Sequence, residues 1–519
     1  MDIERIAEIE QATGVNRKEV LRLGVSILFL AGIILYVGSQ GEVSPMLIIA
    51  GMIGGYMALN IGANDVANNV GPAVGSRALT MVGAIAIAAI FEASGALIAG
   101  GDVVSTIKKG IIDPSSIDNT DVFVWLMMAA LLAGALWLNL ATAIGAPVST
   151  THSIVGGVLG AGIAAGGWEV VNWDKMGQIA ASWVISPVLG GLIAAGFLYL
   201  VKRTITYQDD MLASARRMVP ILVGIMALAF ASYLALKGFK KVYKVDMTTA
   251  LMIGAGVAVI VYYLSRPWVN RKSTTQTNDK AGVNSLFTIP LIFAAAMLSF
   301  AHGANDVANS IGPLAAIDDA LATGGISSKA HIPLWVMLVG AIGISLGLAL
   351  YGPKLIKTVG SEITELDKMR AFCIALSAAI TVIIATQLGL PVSSTHIAVG
   401  AVFGVGFLRE YLKRNYSRMK EQIQLHHMGR DQTDVEKFLV EFDAANLEEK
   451  AHMLQQLKNH SADADLSKKE RRQVKRAYHH ELVKRSALLK IAAAWIITVP
   501  VSGLLAAMLF FMIRGMMLP

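Results

Sequence analysis

Apolar residues run through this chain in long unbroken blocks, without the two-residue alternation expected of a β-barrel. Blocks lie near 22–39, 46–62, 79–100, 122–144, 177–201, 218–238, 247–264, 284–302, 332–352, 371–387 and 488–512. Each is close to the ~20 residues that carry a helix across the hydrocarbon core of a bilayer. Two further blocks, 147–166 and 391–408, begin at Pro147 and Pro391. Lipid offers backbone N–H and C=O groups no partner, so spanning segments satisfy them internally as helices. The pattern predicts an all-α polytopic membrane protein with about 11–13 membrane segments.

The pattern also repeats. GANDVANNVGP at 62–72 returns as GANDVANSIGP at 303–313, and GAPVSTTHSIVGG at 145–157 returns as GLPVSSTHIAVGA at 389–401. SWVISPVLGGLIAAGFLYLVKR at 182–203 returns more faintly as AWIITVPVSGLLAAMLFFMIRG at 494–515. The order is the same, so the chain holds two halves. The step from His152 to Trp183 is 31 residues and that from His396 to Trp495 is 99, which leaves an insertion of about 68 residues in the second half. Composition places it near 409–487. The expected division is a tail and first helix at 1–44, transport repeat 1 at 45–203, connecting helices at 204–283, transport repeat 2 at 284–408, the insertion at 409–487, and the last helix of repeat 2 at 488–519. The insertion reads as soluble and helical, with capping boxes at Thr433–Glu436 and Ser467–Glu470. It carries six of the ten His, including His426–His427 and His479–His480. A solvated polar face explains them more simply than metal binding or pH sensing.

Composition agrees with the pattern: 55% of the 519 residues are hydrophobic and 16% charged, with a mean hydropathy of +0.58. The net charge of +7 is an orientation signal and does not point to nucleic acid. Arg17, Lys18 and Arg22 place the N-terminal tail in the cytoplasm, and the loop SQGEVSP, with no basic residue, outside. Segments 202–217, 265–283, 353–370 and the insertion then fall inside, while GGWEVVNWDKMGQ at 166–178 falls outside with two Trp suited to the interface. The halves thus run in opposite senses, as inverted structural repeats. Lys237, Lys240, Lys241 and Lys244 run against the rule. The single Cys373 excludes a disulfide framework, and the late first apolar block gives no sign of a cleavable signal.

Candidate chemistry sits where the blocks break. An Asp at membrane depth costs about 2.5–3.5 kcal/mol on insertion scales, yet Asp65 and Asp306 occupy equivalent positions in the two halves. Broken or re-entrant helices in inverted repeats mark transport sites. Gly62 and Gly303 are expected to let the chain leave the helix, and Pro72 and Pro313 to limit the next helical piece. Asn64, Asp65 and Asn68, with Asn305, Asp306 and Asn309, then supply oxygen cages of the kind hard cations take. Capping of short helices and packing of two repeats is the rival account of the same residues, and their duplication at membrane depth weighs against it. In the second motif, Ser149, Thr150 and Thr151, with Ser393, Ser394 and Thr395, mark helix starts whose free N–H groups suit a tetrahedral oxyanion. His152 and His396 are candidates to donate to that anion, to carry a proton, or to hydrogen-bond a neighbouring carbonyl, the last being the simplest. Glu92, a carboxylate at membrane depth whose match falls near Gly343, is a candidate cation ligand, proton carrier or internal partner.

Charge then selects a mechanism. The four motif copies contain two Asp and no Lys or Arg. A dianion beside two carboxylates needs cations to accompany it, because like charges in low dielectric repel strongly. An anion that needs cations, and cations that need acidic cages, describe a symporter. A sulfate permease of the same fold and, in another class, a cation channel are the rivals; the channel leaves the paired PVSTTH and PVSSTH segments unexplained. The chain has no phosphate loop, HExxH or G-x-S-x-G element, so neither an enzyme nor a nucleotide-driven pump is expected.

These four motif copies, with FEASGALIAGG around Glu92, closely resemble the signatures of the inorganic phosphate transporter (PiT) family. The resemblance covers 45–203 and 284–408 and reaches the last helix; it omits 1–21 and most of the insertion. It implies a symporter of inorganic phosphate with sodium or protons, in a bacterial inner (plasma) membrane and dimeric. On that resemblance Asp65, Asn68, Asp306 and Asn309 look like cation and phosphate ligands, and Ser149, Thr150, Thr151, Ser393, Ser394 and Thr395 like the phosphate-holding helix starts; Asn64 and Asn305 are further substrate-binding candidates and Glu92 a further candidate sodium ligand. The GAND form is similar to sodium-using relatives. Many relatives carry a Glu where this chain has Ala375, and the family's large cytoplasmic loop lies between the halves rather than inside the second.

Overall fold

The computed structural model describes residues 3–41, 43–113, 116–117, 119–146, 148–238, 245–325, 332–361, 366–426, 441 and 485–517. The expected helix start Pro147, three of the four Lys at 237–244 and most of the insertion lie outside these residues.

Seventeen α-helices are named among the described residues: α1 Ile3–Gly38, α2 Pro45–Asn64, α3 Ala67–Gly75, α4 Met81–Ala99, α5 Gly101–Lys109, α6 Thr120–Ile144, α7 Thr150–Gly166, α8 Trp173–Val201, α9 Met211–Gly238, α10 Met247–Ser273, α11 Lys280–Leu286, α12 Thr288–Asp306, α13 Ala308–Thr323, α14 Leu334–Ser361, α15 Lys368–Gln387, α16 Ser394–His426 and α17 Arg485–Met517. Eleven spans are long and apolar enough to cross a membrane, and no strand is present among the described residues. The protein is an all-α integral membrane protein. α16 runs unbroken past residue 408, so the insertion opens as an extension of a repeat helix.

The halves interlock by exchanging equivalent helices. α2 packs on α14 and α12 on α4; α7 packs on α17 and α16 on α8. Glycines make these seams close, as small residues do in membrane bundles. A Cβ on Gly62 would lie 1.9 Å from the Ile344 carbonyl oxygen, and one on Gly303 2.2 Å from that of Glu92. Gly347 faces Leu59 and Gly95 faces Phe300 in the same way. These four contacts align Glu92 with Ile344, one residue beyond the position expected from sequence.

Two expectations about the breaks need correcting. The chain does not leave the helix at Gly62 or Gly303: α2 continues to Asn64 and α12 to Asp306. Those glycines permit close approach of a neighbouring backbone instead. Nor does Pro313 cut short the helix that contains it, whereas α3 ends at Gly75, three residues past Pro72. Pro72 and Pro313 both sit inside helices, and α13 runs ten residues past Pro313 to Thr323. The breaks themselves are short, Asp65–Val66 in one half and Val307 in the other. Of the basic cluster that ran against the orientation rule, Lys237 is buried and pairs with Asp102 at the start of α5.

Candidate functional site

The breaks and the helix starts meet in the interior. Asp65, Asn68, Asp306, Asn309, Thr150, Thr151, Ser394 and Thr395 are all buried. Each carboxylate takes a hydroxyl from both helix starts. Thr150 donates to Asp65 Oδ2 at 2.6 Å, and Thr395 donates to Asp65 Oδ1. Ser394 donates to Asp306 Oδ2 at 2.8 Å, and Thr151 donates to Asp306 Oδ1 at 3.1 Å. Because Thr150 aligns with Ser394 and Thr151 with Thr395, the arrangement is reciprocal: every carboxylate has one hydroxyl from its own half and one from the other.

The asparagines divide into two kinds. The Asn68 amide donates to Thr395 Oγ1 at 2.9 Å and to the Asp65 carbonyl at 3.0 Å. The Asn309 amide donates to Asp306 Oδ1 at 2.9 Å and to Thr150 and Thr151 at 3.1 Å. The side-chain oxygens of Asn68 and Asn309 are buried and accept no hydrogen bond, and the same holds for those of Asn69 and Asn305. Asn64 and Asn305 instead brace the loops before the helix starts. Asn64 donates to Thr142 Oγ1 and the Ala146 carbonyl and accepts from Val148 N–H; Asn305 donates to Thr386 Oγ1 and the Leu390 carbonyl. Ser149 and Ser393 serve as N-caps, accepting the N–H of His152 at 3.1 Å and of His396 at 3.2 Å.

One residue of the second motif was not singled out from sequence. His302 fills the space between the carboxylates, with Nε2 3.0 Å from Asp306 Oδ2 and 4.0 Å from Asp65 Oδ2. Ligand atoms of Asp65, His302 and Asp306 lie within 4.8 Å of one another. Glu92 stands behind, with Oε2 2.7 Å from His302 Nδ1 and Oε1 accepting the Asn69 amide at 2.7 Å. Glu92 therefore reaches the carboxylates through His302 and makes no hydrogen bond or ion pair with them. The signal was available: the aligned copies carry Ile61 in one half and His302 in the other. No Lys or Arg among the described residues pairs with Asp65 or Asp306. His152 and His396 lie beside the helix starts, where only His152 finds a carbonyl, that of Trp495 at 3.4 Å.

Buried oxygens gathered where a helical membrane protein breaks two of its helices, facing two paired helix starts, are the makings of a transporter. The chain belongs to the phosphate transporter family, which its sequence matches over residues 61–506. That is a family of transporters, not enzymes. A Helicobacter pylori (strain J99) protein with the provisional name phosphate permease is 54% identical over 523 residues, covering 98% of each chain. A provisionally named phosphate permease of Pyrococcus abyssi is 38% identical over 384 residues, covering 74% of this chain and 94% of its own. Among solved structures, one titled the sodium-dependent phosphate transporter superposes with a TM-score of 0.73 at 31% identity, covering 92% of this chain and 100% of that one.

Proposed function

We propose that this protein imports inorganic phosphate by cation symport, with sodium as the coupling ion. The observation that carries the reading is the reciprocal pair of carboxylates, each bonded by hydroxyls from both helix starts and flanked by an Asn oxygen with no donor. Asp65, Asn68, Asp306 and Asn309 hold the cations. Thr150, Thr151, Ser394 and Thr395, with the first-turn N–H groups above the Ser149 and Ser393 caps, hold the phosphate. Asn64 and Asn305 fix the loops that aim those helix starts. With two Asp and no Lys or Arg paired to them, a dianion enters only with cations that neutralise the cage, and that requirement couples the fluxes. The solved sodium-dependent relative supports sodium over other ions.

A second reading has its own observation. His302 between Asp65 and Asp306, backed by Glu92, is a candidate carrier for a coupled proton. We further propose that the N-terminus and the 409–487 insertion lie in the cytoplasm of a bacterial inner membrane, on the distribution of Lys and Arg, and that the protein is a homodimer. Cysteine labelling from either side tests the orientation, and cross-linking in native membranes tests the dimer.

The deciding experiment reconstitutes purified protein in liposomes and imposes a sodium or a proton gradient separately while following labelled phosphate, with sulfate as competitor. Sodium-driven uptake that sulfate leaves unchanged is expected. Uptake driven by protons alone overturns the sodium assignment, and preference for sulfate overturns the substrate.

A further inference from the structure

Beside the helix starts, four rings stand in a row: Trp183, His152, His396 and Trp495. Trp183 and His152 have ring centroids 3.9 Å apart, His152 and His396 meet edge to face at 4.4 Å, and His396 stacks on Trp495 at 3.5 Å. Trp183 belongs to α8 and Trp495 to α17. The row therefore crosses the boundary between two helix pairs, α7 with α17 and α16 with α8, at every step.

Inside each pair the packing is backbone on backbone. A Cβ on Gly160 would lie 2.1 Å from the Gly503 carbonyl oxygen, and one on Gly404 2.1 Å from that of Gly191. Each pair is thus a rigid block. Across the boundary the row meets ring on ring, and its two polar contacts stay inside the blocks, from α8 to the segment leading into α16 and from α7 to α17. Trp183 donates to the Pro391 carbonyl at 3.2 Å, and His152 Nδ1 lies 3.4 Å from the Trp495 carbonyl. The other ring nitrogens are buried and make no hydrogen bond: His152 Nε2, both nitrogens of His396, and Trp495 Nε1. Native interiors rarely leave polar groups in that state. Phenylalanine or leucine would close the same seam with no unmade bonds. Nitrogens kept dry here acquire a use if the row parts during transport and they then face water or solute.

Position supports that use. Successive helical residues turn by about 100°, so His152 projects roughly 200° around α7 from Thr150, which faces Asp65. The same holds for His396 and Ser394 on α16. The row lies on the flank of the helix starts that is turned away from the carboxylates.

We propose that this ring row is a gate on the anion's route, and that His152, His396 and Trp495, once parted, form a transit station for phosphate. The proposal rests on the phosphate reading above and adds a second place where the anion is held. Its ring N–H donors bind the anion without carboxylates, so the anion separates from its cations on passing from the cage to the station.

The test uses the full chain, with labelled phosphate binding measured in detergent and phosphate–phosphate exchange measured in proteoliposomes. His396→Phe keeps the ring and removes the nitrogens; His396→Gln restores a polar group. Exchange is expected to fall by about tenfold in His396→Phe, equivalent to one lost hydrogen bond in the rate-limiting passage, while sodium-dependent binding at the cage persists. His396→Gln is expected to recover most of the exchange. In a second variant, His152→Cys combined with His396→Cys, a reducible bifunctional thiol reagent is expected to stop exchange and a reductant to restore it. Phe-variant exchange at the wild-type rate, a fall in binding that matches the fall in exchange, or continued exchange by the cross-linked pair overturns the gate. Wild-type protein that binds no phosphate overturns the functional reading itself, before any variant is measured.

Discussion

Around Asp65 the first half places Ile61, and around Asp306 the second half places His302. Behind His302 stands Glu92, and behind Ile61 the aligned position is Ile344; Ile61, Ile344, His302 and Glu92 are all fully buried. Asn69, which holds Glu92, aligns with Ser310, whose hydroxyl donates to the Val307 carbonyl. The hydroxyls that touch the carboxylates are shared evenly between the halves, although Asn309 donates to the Asp306 carboxylate while Asn68 donates to the Asp65 main-chain carbonyl. The groups one step further out are not shared. The lesson is that duplication fixed the ligand set, while a single-copy polar chain, Asn69–Glu92–His302, distinguishes one carboxylate from the other.

The largest effect is expected at the shared ligands. Asp65→Asn and Asp306→Asn should each lower sodium-dependent phosphate uptake by more than about a hundredfold, in line with the 3–5 kcal/mol typical of stripping one partner from a buried charge pair. Uptake assays on both variants check this, and wild-type uptake in either would break the reciprocity as a functional statement. Next come the seams. Gly62→Ala and Gly303→Ala each drive a Cβ into a carbonyl oxygen, at 1.9 and 2.2 Å, so folded yield should drop sharply and alike in both. Size-exclusion recovery of the two variants measures it.

The polar chain gives a sharper contrast. Glu92→Leu strands the Asn69 amide and a His302 ring nitrogen, at about 1–3 kcal/mol for each unpaired buried group. The triple change Asn69→Ser, Glu92→Ile and His302→Ile copies the other half and removes the stranded groups. It should unfold at a higher temperature than Glu92→Leu, yet transport at least about tenfold more slowly than wild type, since the tuning of one carboxylate is gone. A triple variant with wild-type transport would reduce the chain to packing. The smallest effect is expected at Ile344→Val, about 0.5–1.5 kcal/mol of stability for one buried methylene, with uptake unchanged.

Much of this was legible in the residues. Long apolar blocks gave the helices because lipid leaves the backbone no alternative. The doubled GAND and PVS segments gave the carboxylates, amides and hydroxyls, since chemistry written twice in order stands out from ordinary caps. What the repeats could not announce was anything present once. His302 lay in plain view one residue before the second GAND, but an isolated His beside an apolar run has no spacing signature. Its meaning came from Glu92, 210 residues away in the chain and 2.7 Å away in space. The roles of Gly62 and Gly303 were misjudged for a related reason: a glycine that bends its own chain and one that admits a neighbour look the same until the neighbour is known.

The exchange of helices between halves has a consequence for how the chain is made. α2 ends at Asn64, but its packing mate α14 begins at Leu334. At about 5–20 residues per second of synthesis, that mate arrives roughly 15–55 seconds later. Until then the nascent first half holds Asp65 in the bilayer without the Thr395 hydroxyl that will later bond it. Assembly of the early helices therefore waits on the ribosome, and an insertase or chaperone that shelters unfinished polar surface within lipid would act during that interval.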